Sequence, residues 1–529
     1  MKKAACFVVV WLTAACGAYG ATPIVWVVPS SLLRVYPTDA PGGETKVKIR
    51  CAGGEYCPFQ VAVQAPAGGL TSLNFFVSDL RGPEGASIPS EDLIRYREQY
   101  ITVQQHSPTW NGPPNLPITD PDIFPDPLVP FVDPESGLPP TPGATYVAAP
   151  TNLAAGNNAV FWVDIFVPRA TPAGEYHGTY TVTSDQGEFR GQICTHVWGF
   201  TLPLQPSLKS SFNGGGTTVP GVNEELLRNR IMPDAVDAAD ERRFIESYGL
   251  NATDLGFWSG VVYGQCEASE PPSVEAIENA KSEQQPGLYL YDDSADPESS
   301  CTSSGFYNAM IRWAQNLHRA GVENLVTQEP VPQLYNDRLG RGRSAVDIWT
   351  MLPLAYDNAQ SFTPPRVTYV LEKGDSAWSY NALVQDSYSP KWELDFLPID
   401  YRIQPGFISQ SLGLTGLLYW SVDDWSSDPW IDPQGQQNPG YPGEGVLAYP
   451  GAPAGLQGVA PSMRLKYLRD GVQDYEYIQI LKNCGEGNWA LDEAHTVGAD
   501  WQHWTRDPEL LEAVRQRLGD RIAALQCSP

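Results

Sequence analysis

The stretch Gly287–Asp293 (GLYLYDD) contains a short apolar strand that ends in two adjacent carboxylates. A helical stretch, Ala309–Gly321, follows it. Because alternating strands and helices are typical of a parallel sheet, residues 206–480 are predicted to form a (β/α)8 barrel of the TIM type. Three further strands are predicted after the first: Asn324–Thr327 (NLVT), Arg366–Leu371 (RVTYVL) and Leu414–Trp420 (LTGLLYW).

Residues 22–205 are predicted to form a β-sandwich that precedes the barrel. Short runs rich in β-branched and aromatic residues are bounded there by Pro and Gly. Thr179–Thr183 has strand alternation, Asp185–Gly187 can turn, and Gly191–Phe200 runs back. This pattern predicts a hairpin at the end of the sandwich.

Two other segments complete the predicted organisation. Residues 106–150 are dense in proline, include Pro125–Pro130 (PDPLVP), and are predicted to be a long ordered excursion and not a strand. Leu202–Pro206 is the predicted linker between sandwich and barrel. Residues 481–529 are predicted to be a helical segment that packs on the barrel.

The composition is that of an acidic globular protein. Of its 529 residues, 42% are hydrophobic and 18% are charged, which suits a large packed core. The formal net charge of −27 repels nucleic-acid backbones and anionic membrane surfaces but does not penalise a neutral ligand. A carbohydrate partner is compatible with this charge, and the 16 Trp and 25 Tyr residues offer faces on which sugar rings can stack.

The N-terminus is predicted to be a signal peptide, residues 1–20. A short positive region precedes the apolar run Ala4–Ala15, which is too short to span a bilayer. Small residues at Ala18 and Gly20 suit signal peptidase. The alternative is a lipoprotein signal with a lipid anchor at Cys16. Either signal predicts an exported protein, periplasmic or extracellular, and no other segment is predicted to span a membrane.

Export favours disulfides among the cysteines that follow the leader. The sequence alone leaves their connectivity open. The predicted pairs are Cys51–Cys57, Cys266–Cys301 and Cys484–Cys527, with Cys194 buried and free. The sequence contains no serine-hydrolase, P-loop, zinc-protease or dinucleotide motif, and its six histidines are not at ligand spacing, so neither a metal nor another cofactor is predicted.

Asp292 and Asp293 stand where a barrel places its active site, at the carboxyl end of a strand. Glycosidic cleavage needs one group that protonates the leaving oxygen and another that stabilises positive charge at the anomeric carbon. Two neighbouring carboxylates repel each other, which raises one pKa and suits an acid. The alternative is a solvated acidic loop, because Asp296 and Glu298 follow closely. Both carboxylates can reach one substrate only if the strand ends or bulges here, since successive residues point to opposite faces.

Several segments resemble a known family, glycoside hydrolase family 123, which includes secreted β-N-acetylgalactosaminidases. The resemblance covers most of the chain beyond the leader and implies a β-sandwich followed by a catalytic barrel. Its most specific segments are Gly416–Trp430, Gly443–Gly451 and Pro461–Tyr477. Weaker ones are Val346–Trp349, Trp378–Tyr380, Trp162–Pro168 and Pro172–Gly178.

The resemblance implies a retaining, substrate-assisted mechanism, in which the 2-acetamido oxygen of the substrate attacks the anomeric carbon. In the family, the Asp of an Asp-Glu pair orients the acetamide and the Glu is the general acid/base. By position, Asp292 would orient the acetamide and Asp293 would be the acid/base, with a side chain one methylene shorter than Glu. Residues 294–305 are an insertion where the family has a short turn.

The leading hypothesis is therefore a secreted glycoside hydrolase that acts on a β-linked, N-acetylgalactosamine-like sugar. The shorter Asp293 side chain keeps open a second hypothesis, a degenerate barrel that binds carbohydrate without cleaving it. A structural protein of the cell surface is a third. For each Trp, core packing is the alternative to sugar contact. The predicted substrate-binding residues are Trp258, Trp349, Trp378, Tyr380, Trp420, Asp424 and Trp425.

Overall fold

The computed structural model describes residues 22–110, 114–120, 122–214 and 219–527. The predicted signal peptide, with Cys16, lies outside the described residues. Within these ranges, no helix is long and apolar enough to cross a membrane.

The front half of the protein is built from two β-sheets that face each other. One sheet has the order β1-β3-β10-β7-β8, and the other has the order β2-β12-β11-β4-β9, with β5 and β6 beside β11. Val61 and Phe161 of the first sheet belong to the same buried cluster as Phe75 and Ile193 of the second. The strands are β1 (Ile24–Val27), β2 (Lys46–Gly53), β3 (Tyr56–Gln64), β4 (Leu70–Val77), β5 (Leu80–Arg81), β6 (Ser87–Ile88), β7 (Leu93–Thr102), β8 (Ile123–Pro130), β9 (Thr151–Leu153), β10 (Asn158–Phe166), β11 (Gly174–Ser184) and β12 (Gly187–Thr201).

The predicted hairpin is confirmed as β11 and β12, but the prediction that Pro125–Pro130 is not a strand is wrong. These residues belong to β8, which pairs with β7 at the edge of the first sheet. An edge strand tolerates proline because one side of its backbone needs no ladder hydrogen bonds.

The second half contains a parallel sheet whose strands alternate with helices. The order of its strands is β13-β19-β18-β17-β16-β15-β14. The strands are β13 (Lys209–Phe212), β14 (Ala252–Asp254), β15 (Tyr289–Ala295), β16 (Glu323–Val326), β17 (Ile348–Met351), β18 (Ser376–Tyr380) and β19 (Gly416–Tyr419). The helices are α1 (Val222–Arg228), α2 (Ala238–Tyr248), α3 (Val274–Glu283), α4 (Ser304–Ala320), α5 (Pro353–Gln360), α6 (Arg366–Lys373), α7 (Pro398–Ile403) and α8 (Ser409–Leu412).

This sheet is nearly closed into a barrel. The segment Met232–Asp234 lies between its edge strands, β13 and β14. Phe212 N–H donates to Met232 O, and Asp234 N–H donates to Phe212 O, both at 3.0 Å. On the other side, Asp254 N–H donates to Asp234 O at 2.8 Å. The predicted order of β-sheets, a barrel-like parallel sheet and C-terminal helices is thus confirmed.

The prediction of a strand at Arg366–Leu371 is wrong, because these residues form helix α6. Val367 and Val370 lie one helical turn apart and are both buried, so β-branched composition concealed a helical period. Gly374 ends the helix in the left-handed conformation that glycine favours.

After β19 the chain forms a small hairpin and three helices. They are β20 (Ala448–Pro450), β21 (Val459–Pro461), α9 (Met463–Asn483), α10 (Gly487–Gly498) and α11 (Pro508–Leu525). Almost every side chain of α9 is buried, polar and apolar alike. A helix buried on all sides needs partners for its charges, and they come from both halves of the protein.

Several ion pairs join α9 to its surroundings, among them three that reach the sandwich and α1. Arg464 pairs with Asp126 of β8 at 2.9 Å, and Arg469 pairs with Asp164 of β10 at 2.7 Å. Lys466 pairs with Glu225 of α1 at 3.1 Å. The sandwich and the barrel are therefore attached to the same helix.

The three predicted disulfides are present, and Cys194 is free as predicted. Cys194 is half-buried rather than buried. Its neighbours Ile193 and Thr195 on β12 point inward, so strand alternation turns Cys194 outward.

We predict that Asp126→Asn lowers the free energy of unfolding by about 3–5 kcal/mol, because it leaves the Arg464 guanidinium buried without a counter-charge. Denaturant unfolding followed by tryptophan fluorescence measures this change. Arg190→Ala, which removes the exposed Arg190–Glu188 pair, is the control and should cost no more than ~1 kcal/mol. Equal losses in the two variants would contradict the role given to the buried pair.

Candidate active site

Asp292 and Asp293 lie at the carboxyl end of β15, but the strand does not end at them. It continues to Ala295, and its pairing with β16 becomes irregular only after Asp293. Tyr291 lies in the barrel interior, where its ring meets Trp378 edge-on at 5.6 Å. By strand alternation, Asp293 points to this interior face and Asp292 to the opposite face. The irregularity comes too late to turn both carboxylates to one side.

Asp292 is completely buried. Its Oδ1 accepts a hydrogen bond from Phe257 N–H at 2.9 Å, while Oδ2 has no partner among the described residues. Burial and the nearby charge of Asp254 raise the pKa of Asp292 to about 8, against the opposing effect of the Phe257 N–H. Asp292 is therefore mostly protonated at neutral pH.

Asp293 is half-buried. Its backbone N–H donates to Asp254 Oδ1 at 2.9 Å, and its own Oδ1 is buried without a partner in the described structure. Burial, followed by the charges of Asp254 and Asp296, raises the pKa of Asp293 well above the usual range. A partly accessible carboxyl group that retains its proton can act as a general acid.

The surrounding carboxylates come from neighbouring strand ends. Asp234 belongs to the segment that bridges the barrel edges, and Asp254 is the last residue of β14. Burial raises the pKa of Asp234 to about 7 and that of Asp254 to about 6. Sequence inspection missed both. A strand as short as Ala252–Asp254 has no detectable periodicity in the sequence. The only available indication was an acidic residue after a short apolar run, which is weak evidence for a strand end.

The loop after β15 is not the freely solvated acidic loop of the alternative prediction. Asp296 is half-buried and accepts a hydrogen bond from Thr327 Oγ1 at 2.5 Å. Burial and the charge of Asp296 raise the pKa of Glu298 to about 7. These groups extend the acidic surface beyond the predicted pair.

The loop after β14 is bonded to the end of β15 and to the loop that follows β15. Ser259 N–H donates to Ser294 O at 3.1 Å, and Asp296 N–H donates to Val261 O at 3.0 Å. The Cys266–Cys301 disulfide joins the same two loops. The segment that covers Asp292 is thus linked covalently to residues 294–305, the stretch that the resemblance marks as an insertion.

Of the predicted sugar-binding residues, Tyr380 is the last residue of β18, and Trp420 directly follows the neighbouring strand β19. Tyr380 is buried, and burial together with Glu298, Asp296 and Asp293 raises its pKa, which places its hydroxyl near the acidic group. Trp420 is half-buried, and its indole N–H donates to Glu444.

Trp258, Trp425 and Asp424 lie on loops after the strands. Trp258 follows β14 and is 47% exposed. Trp425 is half-buried and its indole N–H donates to Ala448 O at 2.8 Å. Asp424 Oδ2 accepts from Gln437 N–H at 2.8 Å. Of the two tryptophans, only Trp258 is exposed enough for its ring to stack on a sugar.

Trp349 and Trp378 are fully buried and have no face to offer a sugar. The indole N–H of Trp349 donates to Asp375 at 3.0 Å, outside the barrel interior. Trp378 fills that interior below Tyr380. Both side chains support the strands. Across the described ranges, no group of three His, Cys, Asp or Glu side chains is arranged to hold a metal ion.

Comparison with known proteins adds a family match and a fold match. Residues 398–481 match the model of the glycoside hydrolase 123 catalytic domain. No curated protein matches the sequence. A family 123 glycoside hydrolase from Clostridium perfringens, whose structural analysis concerned glycolipid glycan hydrolysis, has the same fold. The match has a TM-score of 0.65 at 12% identity and covers 95% of this chain and 98% of the other.

A β-glucuronidase from Parabacteroides merdae is much less similar, with a TM-score of 0.26 and 10% identity over 80% of this chain and 49% of that one. This similarity is too low to indicate a common fold. The 398–481 segment contains α7, α8, β19 and most of α9, so the family match falls on the helix that joins the two halves. A segment of the chain thus matches the glycoside hydrolase 123 catalytic domain, and the whole chain has the fold of a family 123 glycoside hydrolase.

Proposed function

We propose that the protein is a glycoside hydrolase of family 123 that cleaves a β-linked 2-acetamido sugar, similar to N-acetylgalactosamine, with retention. The observation that carries the proposal is Asp293, a partly accessible carboxyl group at a parallel strand end whose raised pKa keeps its proton. The proposal includes a TIM-type (β/α)8 barrel, in which Met232–Asp234 occupies the eighth strand position.

Asp293 is the proposed general acid/base. It donates its proton to the glycosidic oxygen while the acetamide oxygen of the substrate attacks the anomeric carbon, so that the leaving alcohol departs. The resulting cyclic oxazolinium then reacts with water, and the Asp293 carboxylate removes the proton from that water. The acetamide is released intact and the anomeric configuration is retained.

Asp292 is the proposed acetamide-orienting residue, a role that the family resemblance suggests. Its Oδ2 has no partner in the described structure and accepts the acetamide N–H once the carboxyl group has lost its proton. Because the carboxyl group is fully covered and points to the face of β15 opposite that of Asp293, this contact requires two changes when substrate binds. The segment around Phe257 moves away from Asp292, and β15 twists at Asp292 so that both carboxyl groups reach one sugar. The proposed sugar contacts are the exposed Trp258 and half-buried Trp420, with Tyr380, Asp424 and Trp425 nearby; Trp349 and Trp378 have no part in it.

The other expectations from the sequence complete the proposal. The domains are a sandwich at 22–205, the barrel at 206–480 and a helical segment at 481–529. The protein is exported to the periplasm or the cell exterior after removal of residues 1–20, with a lipid anchor at Cys16 as the alternative.

We predict that Asp293→Asn reduces hydrolysis of phenyl β-N-acetylgalactosaminide by about a hundredfold or more, because general acid catalysis typically contributes 10²–10⁴-fold. The loss should be smaller with the p-nitrophenyl glycoside, whose leaving group needs less protonation. Asp292→Asn should slow both substrates to a similar extent. Steady-state rates on the two substrates measure the difference.

The matched control is Asp492→Asn, which removes one exposed carboxylate of α10 and should leave both rates unchanged. Asp293→Glu restores the side-chain length of the family and should raise the rate, since displacements near 1 Å can cost about a hundredfold. Wild-type rates in Asp293→Asn would exclude this residue as the acid.

A second candidate function, carbohydrate binding without cleavage, is favoured by the full burial of Asp292. In that case purified protein would bind N-acetylgalactosamine in calorimetry but would not turn over either aryl glycoside. Asp293→Glu would then remain inactive as well.

A further prediction concerns stability. The pKa of Asp292 rises from 3.8 to about 8 on folding, so the folded protein holds a proton that the unfolded chain releases. The stability that this group contributes is complete below its unfolded pKa and is lost as the pH rises through about 8. The melting temperature of the wild type should therefore fall more steeply between about pH 5 and pH 9 than that of Asp292→Asn. Asp492→Asn should follow the wild type, and parallel curves for all three proteins would contradict the raised pKa.

A further inference from the structure

Asp254 stands where β14 leaves the parallel sheet. It is the last residue of that strand and lies opposite Tyr291 of β15. The next ladder hydrogen bond, from Leu255 N–H to Tyr291 O, is present at 3.0 Å. After Leu255 the chain turns into the loop that covers Asp292. Strand β14 therefore has no further backbone carbonyl that could accept the next N–H of β15.

The side chain of Asp254 takes the place of that missing acceptor. Its Oδ1 accepts the N–H of Asp293 at 2.9 Å. This N–H belongs to the peptide group that joins Asp292 to Asp293, so a single carboxylate fixes the backbone from which both side chains project. Strand termini otherwise leave such groups to water or to adaptable loops.

We infer that Asp254 is a positioning residue of this site, whose carboxylate holds the Asp292–Asp293 peptide and presents a fixed negative charge to both side chains. The part of this inference that concerns catalysis rests on the proposed function. It adds a third carboxylate to the pair that the family resemblance suggests, and it gives that carboxylate a structural and an electrostatic task.

The electrostatic surroundings support the second task. Several titratable groups on the surrounding elements interact electrostatically with Asp293. They are Asp234 from the bridging segment, Asp254 from β14, Asp292 and Asp296 from its own strand and loop, Tyr291 from β15 and Tyr380 from β18. After burial, Asp254 is the largest cause of the raised pKa of Asp293, and it has the same rank for Asp292.

Asp254 also ionises before Asp234 and Asp292. Burial raises the pKa of Asp254 to about 6, against the opposing effect of the N–H groups of Asp293 and Gly256, whereas the pKa of Asp292 is about 8. Near pH 7, Asp254 is therefore mostly charged while Asp292 keeps its proton. A charge held in this place favours the protonated form of Asp293, which is the form that a general acid needs.

The test uses two substitutions at one position. Asp254→Asn keeps an oxygen that can accept the Asp293 N–H but removes the charge. Asp254→Ala removes both. The probe is phenyl β-N-acetylgalactosaminide, with kcat and KM measured across pH, and Asp492→Asn is again the control.

In Asp254→Asn, the alkaline limb of the kcat profile should move to lower pH by about one pH unit, with KM changed less than about twofold. Asp254→Ala should in addition lower the maximal kcat by about a hundredfold, because the pair is no longer held in place. A residue that only supported the fold would lower the amount of active enzyme and leave the position of the limb unchanged. An unchanged alkaline limb in Asp254→Asn would overturn the inference even if Asp293→Asn proved inactive.

A second readout does not depend on turnover. In protein labelled with ¹³C at the aspartate side-chain carboxyl, the Asp293 signal is assigned by its absence from Asp293→Asn. Its titration midpoint should fall in Asp254→Asn and stay in place in Asp492→Asn. An unchanged midpoint would overturn the inference. Absence of hydrolysis in the wild type, together with a lowered midpoint, would instead refute the proposed hydrolase activity and leave the role of Asp254 standing.

Discussion

The buried ion pairs of α9 are the constraint on which the rest of the structure depends. Arg464 and Arg469 cannot be buried without carboxylates, and those carboxylates, Asp126 and Asp164, stand on the sandwich. Lys466 of the same helix pairs with Glu225 and so attaches α1 of the barrel to it. Apolar contacts alone would permit the two halves to slide, whereas paired charges allow few arrangements. The family match falls on this part of the chain, which agrees with its role as the joint of the fold.

The pKa values of the aspartates at the candidate site shift in the opposite direction to that of Asp164 beside α9. At α9, burial acts against the charge of Asp164, but Arg469 and Lys466 more than offset it and lower the pKa. At the ends of β14 and β15, burial and neighbouring carboxylates act in the same direction, so the pKa values of Asp292 and Asp293 rise. The same residue type is thus a structural anion in one place and a carboxyl group that tends to keep its proton in another. A stable, charge-paired joint permits a destabilising group of acids to persist at the strand ends.

Sequence predicted the parts of this protein that have strong local patterns. The β15 strand, helix α4 and the β11–β12 hairpin were all accessible in this way. The three disulfide pairs agree with the predicted ones, although the sequence left their connectivity open. Arg366–Leu371 was not, because β-branched residues there follow a helical period. The contribution of Asp254 was also hidden, since it depends on a three-residue strand and on a loop that leaves the sheet at that point. The opposite directions of Asp292 and Asp293 required the strand to be seen continuing past them.

The central claim is that an acidic barrel end, organised around Asp293, cleaves a 2-acetamido glycoside with help from the acetamide of the substrate. The most direct measurement is ¹H NMR of the first sugar released from a β-N-acetylgalactosaminide, recorded before the free sugar mutarotates. Assistance by the acetamide inverts the anomeric carbon twice, so the account predicts that the β-anomer of the free sugar appears first. Initial release of the α-anomer, or no release at all, would contradict it.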